Sequence, residues 1–165
     1  MRPIQDQDLA RLQSWADGAQ VDAAPAVSTR SLFGISLTSV NPDGAWGLIK
    51  FFWPYALRQG WRDIYLGSPI PGLRQALHQD PGLTVQRYVF DKKRGLPRDP
   101  QLRYYHRKGF REIVAVKANY FPHAASLDHG VLLRGRVPLS GLWPLWRLLP
   151  WSWMQRFSRW AEAAL

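Results

Sequence analysis

Between Pro97 and Leu133 the sequence spells out a helix, a stop and two strands, and that order constrains the fold more than any other stretch. The run Pro97-Arg-Asp-Pro-Gln-Leu-Arg-Tyr-Tyr-His-Arg-Lys-Gly-Phe110 contains Asp99, a residue type that caps helices, followed by Pro100, whose fixed φ suits a first turn. Gly109 can end the helix in the left-handed conformation. Tyr105, four residues before that glycine, falls on the final turn. Apolar runs at 111–117 and 128–136 then read as strands.

The preceding sequence alternates between the same two element types. Leu9, Leu12, Trp15, Ala16 and Ala19 recur at helical spacing and predict a helix over 6–20. Residues 21–30 read as a linker and 31–40 as a strand, with Asn41-Pro-Asp-Gly44 as a turn. Residues 45–59 are too long and apolar for one strand and predict a buried helix, disturbed at Pro54 and stopped by Gly60. A strand at Asp63–Gly67, a turn at 68–72, a short helix at 73–79, an apolar run at 83–90 and a basic loop at 91–98 lead to the helix at 99–108. The fold class is α/β (α+β), a mixed central sheet flanked by helices. From Leu139 the composition changes: Trp143, Trp146, Trp151, Trp153 and Trp160 stand among Arg147, Arg156 and Arg159. The reading is an N-terminal helix and linker (1–30), a central domain (31–138) and a Trp-rich helical tail (139–165). The tail is expected to pack on its own domain, with peripheral membrane contact as the alternative.

Composition excludes several functions. The 165 residues include no cysteine, so there is no disulfide, thiolate nucleophile or cysteine metal site. His106, His123 and His129 lack metal-ligand spacing, and no metal is expected. Ser126-Leu-Asp-His129 has no nucleophile elbow. The first twenty residues show no secretory signal, and the expected location is cytoplasmic. A net charge of +10 calls for an anionic partner. Much of it lies in Arg87, Lys92, Lys93, Arg94, Arg98, Arg103, Arg107, Lys108 and Arg111. Aromatic residues stand among these, but no RNA-binding motif accompanies them, so nucleic acid is not favoured.

The Tyr105-x-x-x-Gly109-Phe110 segment, with the strands that follow, resembles the C-terminal part of the acetyl-CoA-dependent N-acyltransferases of the GNAT superfamily. The likeness spans roughly residues 31–137 and includes Ser68-Pro-Ile-Pro-Gly72, Asp99-Pro-Gln-Leu102 and Asn119-Tyr-Phe-Pro122. It implies that acetyl-CoA or another acyl-CoA binds along Leu37, Ser39, Val40, Asn41, Gly44, Ala45, Trp46 and Gly47, and at Arg107. The resemblance also implies a sheet whose neighbouring strands splay to admit the pantetheine arm. Tyr105, or Tyr104 in second place, would protonate the departing thiolate as an acyl group passes to a primary amine. The sequence departs from the superfamily in two ways. Asn41 leads the phosphate turn and Trp46 stands where a small residue is usual. Only about thirty residues precede the first strand of the likeness, so the N-terminal, acceptor-binding portion is expected to be missing or degenerate. Asp63 and Glu112 are candidate bases by elimination only. The competing reading is a non-catalytic basic module that contacts an anionic membrane or a partner chain.

Overall fold

In a computed structural model, residues 2–5, 8–9, 12–14, 29–34, 42–154 and 156 are described. The centre is a five-stranded mixed sheet in the order β1-β2-β3-β7-β6. Its strands are β1 (Arg2–Ile4), β2 (Ser31–Gly34), β3 (Asp63–Pro69), β6 (Glu112–Lys117) and β7 (Gly130–Arg136). Of the four pairings, β2 with β3 is parallel and the others are antiparallel. The parallel pair requires a crossover, supplied by α1 (Pro42–Gln59). α2 (Leu73–Gln79), α3 (Val85–Phe90) and α4 (Pro100–Arg107) lie between β3 and β6 in sequence. A small hairpin, β4 (Lys92–Lys93) and β5 (Leu96–Pro97), joins α3 to α4.

Strand alternation divides the core. Leu66 of β3 and Val131 and Leu133 of β7 meet α2 through Leu73 and Ala76, α3 through Tyr88 and Val89, and α4 through Leu102. The opposite face buries Phe33, Tyr65 and Leu132 under Ile4, Leu9 and Leu12. A third cluster joins Ala56 and Leu57 of α1 to Val137, Trp146 and Met154. The tail therefore packs on the domain, as expected, through α5 (Trp143–Leu148) and helical residues 151–154.

Several expectations need correction. The turn expected at 41–44 is helix from Pro42 onward, because proline and aspartate suit a first helical turn as well as a β-turn. Residues 8 and 9 are helical but 12–14 are not, so the helix expected over 6–20 does not run through. The N-terminal residues instead supply a strand, and Thr29 Oγ1 donates to the carbonyl of Ile4. The basic loop at 91–98 is a hairpin whose turn places Arg94 at φ 55° and Gly95 at φ 78°, the signature of a tight two-residue connection.

Gly60 ends α1 at φ 77°, and a Cβ there would lie 2.3 Å from Nε1 of Trp143. The helix stop and the seat of the tail are thus one residue. Gly60→Ala is expected to destabilise the fold by about 2 kcal/mol, from the left-handed backbone and the displaced indole. At this chain length that lowers Tm by about 4–8 °C. An unchanged melting curve would show that the tail does not depend on Gly60.

Candidate functional site

The expected catalytic side chain, Tyr105, stands on the last turn of α4. Gly109 follows at φ 93° and turns the chain back, so that the Phe110 N–H donates to the Tyr105 carbonyl at 3.0 Å. The two rings meet edge to face at 6.1 Å. Phe110 in turn covers Gly135 of β7, where a Cβ would come within 2.9 Å of its ring. Tyr105 is half-buried on the helix-covered face, packed against the cluster that contains Leu66 and Leu133. Burial raises its pKa, and the bond to Gln101 one turn back only partly opposes this. The phenol is therefore a neutral donor at physiological pH. Tyr104 is exposed and lies in edge contact with Tyr105 at 5.4 Å. Adjacent helical residues point in different directions, and only Tyr105 packs on the sheet.

Asp99 fixes this helix. Its side chain is fully buried and accepts four hydrogen bonds. Oδ1 takes the N–H groups of Gln101 at 2.8 Å and Leu102 at 3.2 Å, which caps α4. Oδ2 takes the Tyr88 hydroxyl at 2.9 Å and the Gly72 N–H at 3.0 Å, which ties α4 to α3 and to the turn before α2. The sequence signal read Asp99 correctly as a cap. It carried no sign of the second pair of donors, which come from Gly72 and Tyr88.

The other expected residues are distributed as follows. Leu37, Ser39, Val40 and Asn41 lie outside the described residues. Gly44, Ala45, Trp46 and Gly47 all lie in α1. A helix that starts at Pro42 leaves the backbone N–H groups of Asp43 and Gly44 free and draws those of Ala45, Trp46 and Gly47 into its own ladder. Arg107 is exposed on α4, two residues from Tyr105, a spacing that does not share a face. The β2–β3 pairing is described as far as Gly34 opposite Leu66, whereas β3 continues along β7 to Pro69 opposite Gly130.

The two candidate bases are brought together, but away from Tyr105. Arg134 Nε donates to Asp63 Oδ1 at 3.0 Å, and its Nη1 lies 3.3 Å from both oxygens of Glu112. Asp63 and Arg134 fall on the other face of the sheet by alternation, so both carboxylates are held in an ion-pair chain and neither serves Tyr105. The pKa of His106 is lowered by burial and then by Arg111 and Lys92. Ser126 is fully buried, accepts the Ile70 N–H at 2.9 Å and meets His123 Nδ1 at 2.8 Å. That hydroxyl staples the 119–129 loop to the end of β3 and is not a nucleophile. Among the described residues no group of side chains could hold a metal ion.

Two solved structures share this architecture. The loading GNATL domain of CurA from Lyngbya majuscula superposes with a TM-score of 0.59 at 16% identity, covering 82% of this chain and 68% of that one. The GphF GNAT-like decarboxylase in complex with isobutyryl-CoA gives 0.60 at 21% identity, covering 82% and 69%. The chain therefore has a GNAT-like fold. No protein-family model and no curated protein sequence matches it.

Asp99→Asn keeps the cap acceptor and replaces the other oxygen with a donor that faces Tyr88 and Gly72. We expect a loss of about 2–4 kcal/mol by denaturant unfolding, against about 1 kcal/mol for Tyr88→Phe. A loss no greater for Asp99→Asn than for Tyr88→Phe would rule out the shared carboxylate. Burial first, then Asp99, raises the pKa of Tyr88 well above the usual tyrosine value. The folded state therefore holds that proton more tightly than the unfolded one. Its contribution is complete below pH about 10 and falls as pH rises beyond it. Tyr88→Phe should flatten that alkaline decline, measured as Tm against pH.

Proposed function

We propose that this chain binds an acyl-CoA and acts on its thioester, with Tyr105 as the proton donor. The observation that carries the reading is Tyr105 itself: a half-buried phenol, its pKa raised by burial, on the last turn of a helix in a GNAT-like fold. One of the similar structures holds isobutyryl-CoA, which supports the ligand class.

The first element to hold such a ligand is the start of α1. Free N–H groups at Asp43 and Gly44, together with the helix dipole, suit a pyrophosphate. The acyl-pantetheine arm would run along β3 beyond Leu66, past the described end of its pairing with β2. In the transfer reaction, a neutral primary amine attacks the thioester carbonyl and the C–S bond breaks. The leaving thiolate takes the Tyr105 proton, and the new amide nitrogen loses one to solvent. Acetyl-CoA is the simplest donor, and longer acyl groups fit the same scheme.

A second reading has one observation in its favour. Transfer to an amine is helped by a base, and both carboxylates considered for that role are held by Arg134 on the far face. Decarboxylation of an α-carboxy acyl-CoA needs no such base. The bond to carbon dioxide breaks, the electron pair passes to the thioester enolate, and a donor such as Tyr105 protonates the α-carbon. One of the two similar structures is that of a GNAT-like decarboxylase.

Binding is tested first, by thermal shift with CoA and acyl-CoAs. Ligand at a hundred times its Kd should stabilise the fold by about 2.7 kcal/mol, and no shift at millimolar CoA overturns the proposal. Turnover then separates the reactions, since transfer releases free CoA thiol in step with amine loss, whereas decarboxylation releases carbon dioxide and leaves the thioester intact. In either case Tyr105→Phe should lower kcat about 10²-fold or more with little change in acyl-CoA affinity. An unchanged rate would make Tyr105 structural.

A further inference from the structure

The tail that packs on the domain through Trp146 and Met154 turns a second, apolar surface outward. Leu142, Leu145, Leu148 and Trp153 are 48%, 57%, 81% and 66% exposed, beside a core in which Trp146 is 8% exposed. Burial drives such side chains inward unless something else covers them. Phe51 of α1, 62% exposed, adjoins this region through its edge contact with Trp151 at 6.5 Å.

At the root of the tail lies a groove of about 680 Å³, lined by Arg30, Arg62, Arg136, Leu139 and Trp143 among others, with no acid among the described residues of its wall. The backbone brings the arginines together. The Arg62 N–H donates to the Arg30 carbonyl at 2.7 Å, and the Val137 N–H donates to the Arg62 carbonyl at 2.8 Å. Arg30 and Arg147 lie 5.5 and 5.4 Å from the Trp143 ring. Among the described residues the acid paired with this cluster, Asp63, reaches Arg62 only at 3.9 Å and is already bonded to Arg134 at 3.0 Å. This is also the far end of α1 from the free N–H groups at its start. Gly60 lines the groove, and an 18-residue helix is about 27 Å long. The groove is therefore separate from the acyl-CoA site proposed above.

We propose that this end of the molecule docks on an anionic membrane surface. Leu142, Leu145, Leu148 and Trp153 enter the interface, and the groove formed by Arg30, Arg62 and Arg136 takes a lipid phosphate. Charge complementarity selects this occupant: apolar side chains are rimmed by arginines that, among the described residues, outnumber the one acid near them, Asp63, and tryptophan lies beside guanidinium. This is the composition of interfacial contact. Among the described residues no helix is long and apolar enough to cross a membrane, and the contact proposed lies in the interface plane.

The full chain is mixed with vesicles of phosphatidylcholine alone or with phosphatidylserine, and bound protein is measured by sedimentation. Binding should require phosphatidylserine and weaken as salt is raised. Leu145→Glu with Leu148→Glu should lower the affinity about tenfold or more at unchanged Tm, since both side chains are exposed. Arg30→Gln with Arg136→Gln should weaken binding and flatten its salt dependence. The unmodified chain gives an independent measure: lipids brominated in the acyl chain should quench its tryptophan emission. Failure to sediment with phosphatidylserine vesicles at low salt overturns the proposal. So does binding that the leucine substitutions leave intact, or the absence of quenching, because charge alone would then account for the association.

Discussion

The placement of every candidate functional group on α4 depends on one buried carboxylate. A helix of eight residues has little stability of its own, so its position must come from contacts. Asp99 supplies them at the first turn by joining the cap of α4 to the hydroxyl of Tyr88 and the backbone of Gly72. Gly72 is part of the arrangement: a Cβ there would lie 2.3 Å from the Tyr88 oxygen. The three short helices are thereby locked to one another before they meet the sheet, and Tyr105 is aimed by a group six residues away.

Local chemistry was legible in the sequence wherever one residue decides one torsion or one hydrogen bond. Asp99, Pro100 and Gly109 bracket α4, and Gly60 ends α1, because caps and left-handed stops need particular residue types. α2 at Leu73–Gln79 and β3, β6 and β7 follow from spacing of apolar residues. The misreadings share a different cause. Asn41-Pro-Asp-Gly44 satisfies the rules for a turn and for a helix start equally, so only context separates them. β1 is three residues long and exists because β2 offers it a partner. The 91–98 hairpin places an arginine, Arg94, in a conformation that its neighbours alone do not announce.

The candidate site was partly legible for the same reason. The place of Tyr105 on a final helical turn is a local fact, and the half-burial that raises its pKa is a tertiary one. The fate of Asp63 and Glu112 was invisible, because their shared partner Arg134 is 71 residues from the first and 22 from the second. Elimination in sequence left them available as bases. The sheet spends both on an ion-pair chain across β3, β7 and β6.

The strand order carries a consequence for how this chain assembles. β3 pairs with β7, so closing the middle of the sheet means joining Asp63–Pro69 to Gly130–Arg136 across everything from residue 70 to 129. Loop closure over such a span is entropically costly, and non-local pairing is slow. The helices held by Asp99 lie wholly inside that span and are tied by bonds whose separations run from 2 to 27 residues, all shorter than the loop to be closed. If they gather first, they shorten the effective loop and bring the two strands within reach. The carboxylate that orients Tyr105 in the finished protein would then also set the pace at which the sheet is completed.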